Sequence, residues 1–129
     1  MRKETQNWID TAAYDYETAG HMLQAGRYIY VIFMCHLAIE KMLKACIHES
    51  SGSLPPKSHE LVQLAVQAGV TFPENLVEFV GRINNSSVPT RYPSELTQLV
   101  AAYPQEVAES YFERTGQVLA WLRQDKRLA

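Results

Sequence analysis

The chain has 129 residues, of which 47% are hydrophobic and 20% charged, and its formal net charge is -2. These values are typical of one soluble globular domain that buries a core without disulfides or metal, so we interpret residues 1–129 as a single domain. A slightly acidic chain without a run of Lys or Arg argues against a broadly basic nucleic-acid surface and a polybasic membrane patch.

The N-terminus, MRKETQNWID, lacks the apolar core of a signal peptide, and the longest apolar run is too short to cross a bilayer. We therefore expect a cytoplasmic protein without membrane contact. Cys35 and Cys46 fall on one predicted helix, about 16 Å apart, so they cannot bridge each other and are expected to be small buried hydrophobes. No Cys or His pair has the spacing of a zinc site, and we expect neither a metal nor another cofactor.

The first predicted helix covers about residues 4–25. Its apolar residues recur at spacings of three and four, which is typical of a bundle seam. Gly26 ends this helix, and because only Gly26 and Arg27 connect it to the next one, the second helix must return antiparallel. Asp15 flanks the seam, where we expect it to form an ion pair with a neighbouring helix.

The second predicted helix, residues 28–48, is apolar around most of its circumference, so we place it at the centre of the fold. His36, Glu40 and Lys44 follow each other at i, i+4 and i+8 along one border of its apolar stripe. Glu40 can there pair with Lys44 and accept a hydrogen bond from His36. On the residues alone, an edge salt bridge is favoured over a ligand site.

The next predicted elements are shorter. Ser58 is a good N-cap for a short helix over residues 59–68, and Pro73 begins a helix that ends near residue 83. Residues 88–93 are predicted to be extended, because residues that precede proline disfavour helical geometry. One short helical turn near residues 95–101 and a last long helix over residues 104–126 complete the chain.

Two further places could carry chemistry. Arg91 and Tyr92 lie between two prolines, where a guanidinium could hold phosphate oxygens and the ring could stack on a base. The alternative, favoured by sequence alone, is that Arg91 caps a helix or pairs with an acid while Tyr92 fills the core. His59, near a helix N-terminus, could join a phosphate site or simply support the cap.

Three stretches in order, CHLAIEKMLKA, SHEL and TRYP, resemble the HEPN domain family. This family consists of small all-helical proteins that are often encoded beside minimal nucleotidyltransferases, and the resemblance runs from Trp8 to Arg123. It implies an all-α fold, an up-and-down four-helix bundle with one additional short helix. It also implies that the glutamate and lysines of the first stretch line a cleft across which the third stretch returns.

The resemblance implies a binding module for a nucleotide or RNA-like ligand, in a toxin-antitoxin-like pair with a minimal nucleotidyltransferase. Arg91 and Lys44 would hold phosphate, Tyr92 would stack, and Glu40 and His36 would orient Lys44. His59 completes the predicted set of ligand residues.

Many HEPN proteins are metal-independent ribonucleases with a histidine four to six residues after an arginine. None of the arginines at positions 2, 27, 82, 91, 114 and 123 has a histidine at that offset, so no catalytic residue is predicted. Two alternatives stay open. The chain is a ribonuclease with a rearranged set, such as Arg91 with His59 or His36, or a structural homodimer without a ligand.

We also expect a homodimer. Tyr30, Met34, Leu37 and Lys41 lie on a side of the central helix that a single bundle does not fully cover. Members of the HEPN family, which the chain resembles, commonly pair through helices, and this also favours a homodimer.

Overall fold

A computed structural model describes the backbone of residues 1–129 and every side chain except that of Arg91. Within this part the chain is helical, without strands, so the predicted all-α bundle is confirmed. Two short helices accompany the four long ones, because the turn predicted near residues 95–101 is a second short helix, Leu96–Ala102. No helix of the described residues is long and apolar enough to cross a membrane. The elements are α1 (Lys3–Gln24), α2 (Tyr28–Ser51), α3 (Leu61–Ala68), α4 (Glu74–Arg91), α5 (Leu96–Ala102), α6 (Gln105–Arg123) and a 3-10 turn (Lys126–Leu128).

Helix α2 forms the centre of the bundle and packs against α1, α3, α4 and α6. Its apolar stripe is buried as predicted, and Ile32, Ile39 and Leu43 are fully inaccessible. Full burial of one such side chain contributes about 1.5–3 kcal/mol, so this stripe supplies much of the stability. Asp15 of α1 forms the predicted ion pair with the neighbouring helix, since it accepts a hydrogen bond from Lys41 Nζ at 2.6 Å.

Helices α1 and α6 meet through an aromatic pair. The rings of Tyr16 and Phe112 stack with centroids 4.5 Å apart, and the Tyr16 hydroxyl donates to the Phe112 carbonyl at 2.9 Å. A Cβ atom on Gly116 would come within 2.5 Å of that hydroxyl oxygen. Glycine therefore permits the close approach of the two helices at this point.

Both cysteines are buried and free, as predicted. Burial raises the pKa of the Cys35 thiol to about 12 and that of the Cys46 thiol to about 11. Because the thiolate is the reactive form, both side chains stay protonated and act as small hydrophobic residues near neutral pH.

Helix α4 continues well beyond its predicted end and includes Pro89, so the prediction of an extended segment over residues 88–93 is wrong. Polar residues in this extension face the bundle, since Ser86, Ser87 and Thr90 are buried. Two of these hydroxyls are satisfied within the helix, since Ser86 donates to the Arg82 carbonyl and Thr90 to the Ser86 carbonyl. Tertiary burial thus overrides the local helix-breaking signals.

Helix α3 begins two residues later than predicted, and its N-cap is Glu60 rather than Ser58. The Glu60 carboxylate accepts from the Gln63 amide at 2.6 Å, whereas the Ser58 hydroxyl accepts from the Glu60 amide. Asn84 of α4 holds the first residues of α3 in place. Its side chain accepts a hydrogen bond from the Leu61 amide at 2.8 Å and donates one to Glu60. The start of α3 is therefore tied to the middle of α4.

Candidate functional site

A buried carboxylate, Glu40 of α2, lies at the centre of a polar cluster. Its Oε2 atom accepts from Lys44 Nζ at 3.1 Å, and its Oε1 atom lies 2.9 Å from Nδ1 of His59. Nδ1 of His36 is 3.8 Å from the same Oε1 atom. We call these four residues, His36, Glu40, Lys44 and His59, the Glu40 cluster. The structure thus brings together four of the six residues predicted to bind a ligand.

Two features of the chain assemble the Glu40 cluster. The spacing i, i+4, i+8 places His36, Glu40 and Lys44 on one side of α2, as predicted. His59 comes from the segment before α3, and the contacts of Asn84 with Glu60 and Leu61 hold that segment in place. The salt bridge of Glu40 with Lys44 lies in the interior rather than at an edge, because α1 and the segment before α3 cover this side and all three α2 residues are buried.

The positive charge of Lys44 is neutralised by its neighbours in the cluster. Its ammonium contacts Glu40 on one side and stands 5.8 Å from the centroid of the Trp8 ring of α1 on the other. A cation that is desolvated between a carboxylate and an indole ring is well stabilised. Only 7% of the Lys44 side chain is exposed, and no described contact tests its predicted role in holding phosphate, so that role stays a prediction.

His59 is the accessible member of the Glu40 cluster, since 57% of its side chain is exposed. When Nδ1 carries the proton, it donates to Glu40 and leaves Nε2 available to a ligand. A carboxylate that fixes the tautomer and orientation of an imidazole is a common arrangement in binding and catalytic sites. His36, by contrast, is fully buried.

Arg91 and Tyr92 lie at the end of α4 rather than in an extended segment. Arg91 is the last residue of the helix, and the Tyr92 amide caps it by donating to the Val88 carbonyl at 2.8 Å. The predicted contacts of the Arg91 side chain fall outside the described part of the structure. The Tyr92 ring is 74% exposed, so the alternative that it fills the core is wrong. No described contact joins Tyr92 to the Glu40 cluster.

Sequence reasoning missed two supporting residues, Trp8 and Asn84. The antiparallel return of α2 along α1 could have indicated that Trp8 lies near Lys44, but no local signal reports the contact of Asn84 with α3. Among the described side chains, no group of three or more His, Cys, Asp or Glu residues could hold a metal ion.

The HEPN domain family matches residues 5–125. The chain belongs to the HEPN family. Two solved structures share this HEPN fold. TT1696 from Thermus thermophilus has a TM-score of 0.79 and 24% identity, over 95% of this chain and 98% of that one. ST0689, an archaeal HEPN homologue, has a TM-score of 0.74 and 19% identity, over 95% of this chain and 97% of that one. No curated protein matches the chain.

Membership of the HEPN family supports a nucleotide- or RNA-related module or a ribonuclease at the level of the family. Because the two solved structures are only 24% and 19% identical to this chain, their similarity shows a shared fold alone.

The Glu40 cluster gives a prediction about stability. Replacing Glu40 by Ala leaves the Lys44 ammonium buried without its carboxylate, so we expect the free energy of unfolding to fall by about 3–5 kcal/mol. Urea denaturation followed by circular dichroism measures this change. The matched control is Glu17→Ala, which removes the exposed i, i+4 contact of Glu17 with His21 and should change stability by about 1 kcal/mol or less. Equal effects of the two substitutions would contradict a buried, structurally required carboxylate.

Proposed function

We propose that this HEPN domain is a binding module for a nucleotide or RNA-like ligand. The observation that carries the proposal is the contact of the buried Glu40 carboxylate with the exposed His59 ring at 2.9 Å. A buried acid that orients an accessible imidazole pays no ordering cost when a ligand arrives, which favours binding. His59, Arg91 and Tyr92 are the proposed contact residues, while Glu40, His36 and Lys44 support His59 from the interior.

The proposed roles follow from the chemistry of each group. The Nε2 atom of His59 can donate to a phosphate oxygen when the ring is protonated. The guanidinium of Arg91 matches the geometry of phosphate oxygens, and the exposed ring of Tyr92 offers a face on which a base can stack.

The spacing along α4 favours one extended ligand over a lone phosphate. The segment that carries His59 is attached to α4 at Asn84, through the hydrogen bond from the Leu61 amide. Arg91 follows Asn84 by seven residues, two turns of α-helix, so it lies about 10 Å further along the axis at nearly the same angle. A nucleotide with its phosphates, or two adjacent nucleotides, can bridge such a separation.

A metal-independent ribonuclease is the second candidate, and the same contact favours it. A histidine whose Nδ1 atom is held by a carboxylate can exchange protons through Nε2, as general acid–base catalysis requires. The pair in this candidate is His59 with Arg91. Full burial of His36 makes it the weaker choice of the two histidines considered.

We further propose that this protein is cytoplasmic and that it forms a toxin-antitoxin-like pair with a separately encoded minimal nucleotidyltransferase. The support for this partner is the resemblance of CHLAIEKMLKA, SHEL and TRYP to HEPN proteins that are encoded beside such enzymes.

A homodimer is the proposed assembly, but the structure favours another surface than the α2 side predicted from the sequence. On that side Lys41 is engaged by Asp15 of α1, and Met34 and Leu37 are already partly covered, which leaves Tyr30 as the exposed residue. An exposed apolar surface lies instead between α3 and α4. We call it the valine surface, and its residues are Val62, Val66 and Val77.

Two features of the valine surface are typical of an interface. The stretch 61–73 contains no charged residue, although many of its side chains are exposed, and depletion of charge marks interface cores. Gly81 lies inside α4, where a Cβ atom would meet nothing within 4 Å. A glycine there destabilises the helix by about 1 kcal/mol relative to Ala, and no contact within the chain requires it. Close approach of another helix would account for it.

A second copy suits this surface by charge. Glu78 and Arg82 form an exposed ion pair one turn apart beside Gly81. When two copies of α4 cross antiparallel about a two-fold axis near this point, Glu78 of each copy lies beside Arg82 of the other. An isologous contact of this kind is self-complementary.

Ligand binding is tested by thermal unfolding with ATP, GTP and short single-stranded RNA. A ligand present at about 100 times its Kd stabilises the folded state by about 2.7 kcal/mol, so we expect a clear rise in Tm. His59→Ala and Arg91→Ala should abolish this rise. The matched control is His21→Ala, which removes an exposed histidine that also pairs with a glutamate, Glu17, and should keep the rise. A wild-type Tm unchanged by all three ligands would contradict the proposal and favour a structural dimer.

Ribonuclease activity is tested by incubating the purified protein with structured and unstructured RNA in the presence of EDTA. Cleavage that is lost in both His59→Ala and Arg91→Ala, but kept in His21→Ala, would establish the enzyme candidate. Intact RNA, together with a ligand-induced rise in Tm, would leave the binding module as the function.

The assembly is tested by light scattering coupled to size-exclusion chromatography. Val66→Glu places a charge at the centre of the valine surface, so we expect a dimeric wild-type protein and a monomeric variant. Tyr30→Glu is the matched substitution on α2 and should leave the dimer intact. A monomeric wild-type protein, or a dimer lost only in Tyr30→Glu, would refute the valine surface as the interface.

A further inference from the structure

A pocket of about 210 Å³ lies away from the Glu40 cluster, between the start of α2 and helix α5. It is more enclosed than a surface groove, and tyrosine rings and aliphatic side chains form most of its wall. The lining residues that matter here are Arg27, Tyr28, Tyr30, Leu96, Val100 and Tyr103.

Helix α5 has no buried residue, although it is apolar on the side of the pocket. Leu96 and Val100 are one turn apart and line the pocket, yet they remain 55% and 50% exposed. A helix of seven residues is not stable in isolation, so its position depends on what its apolar side contacts. An apolar ligand in the pocket would bury both side chains at once.

The mouth of the pocket is positively charged. Arg27 is exposed, and the structure shows no ion pair or hydrogen bond for its described guanidinium. The first turn of α2 contains no acidic residue and has no side-chain cap, so its free amides and dipole add positive potential beside Arg27. Both features favour a negatively charged group at this mouth.

The volume limits the size of the ligand. A dry cavity of about 150 Å³ holds benzene, and pockets for drug-sized ligands begin at about 300 Å³. The pocket between α2 and α5 has a volume between these values, so it accommodates one aromatic ring with one small substituent. A whole nucleotide is too large, which separates this pocket from the proposed ligand site at His59.

We propose that this pocket binds a monocyclic aromatic carboxylate. The ring lies among Tyr28, Tyr103 and the apolar side of α5, where tyrosine rings favour edge or offset contacts. The carboxylate accepts hydrogen bonds from the guanidinium of Arg27. This inference does not rest on the proposed function, because no residue is shared between the two sites.

The experiment is a titration of the full chain with benzoate, and with benzamide as its neutral isostere, followed by protein NMR. We expect saturable shifts of residues of α5 and of the start of α2 with benzoate, and about tenfold weaker binding of benzamide. Arg27→Gln should remove the preference for benzoate. Arg2→Gln is the matched control on an exposed arginine elsewhere and should keep that preference.

Val100→Trp provides an independent test. Val100 is half-exposed on α5, so a larger side chain can be accommodated there and fills the pocket. Folded Val100→Trp protein should lose benzoate binding. Absence of saturable binding to the wild-type chain at millimolar benzoate would overturn the proposal. Equal benzoate affinity in the Arg27→Gln and Arg2→Gln variants, or in Val100→Trp and the wild type, would overturn it as well.

Discussion

The junction of α1, α2 and α3 depends on the burial of one carboxylate, that of Glu40. A buried charge is tolerated only when partners replace its water, and those partners come from three segments of the chain. Lys44 comes from the next turn of α2, His59 from the segment before α3, and Trp8 of α1 covers the lysine. The same requirement that stabilises this junction fixes the orientation of the accessible imidazole. The burial of the Glu40 carboxylate therefore underlies both the packing of this junction and the proposed function.

Helix α4 extends that constraint to the other end of the candidate site. Asn84 holds the start of α3, and with it the position of His59, while the helix continues without interruption to Arg91. An extended segment at residues 88–93, as predicted, would have left the relation between Arg91 and His59 undefined. Because α4 is a continuous helix, it fixes the spacing between Asn84, which holds the segment of His59, and Arg91.

The sequence predicts well where periodicity decides the structure, and poorly where distant contacts do. The presence and approximate extent of α1, α2 and α6 follow from apolar spacing, although α2 ends at Ser51 rather than residue 48 and α6 at Arg123 rather than residue 126. The i, i+4 arrangement of His36, Glu40 and Lys44 follows from the helix itself. The extension of α4 could not be predicted, because local signals such as Pro89 favour a break and burial against the bundle outweighs them. The approach of His59 to Glu40 likewise depends on Asn84, 25 residues further along the chain.

The distribution of charge limits how the proposed recognition of a nucleotide or RNA-like ligand can work. Lys41 and Lys44, the two lysines of the central helix, are each neutralised by a carboxylate, Asp15 and Glu40, and the net charge of the chain is -2. Long-range attraction of a polyanion is therefore weak, since steering needs a field of one sign over a wide surface. Recognition must come from short-range contacts at positions that the fold has already ordered. An imidazole held by a buried acid meets that requirement, and a broad basic patch is not needed.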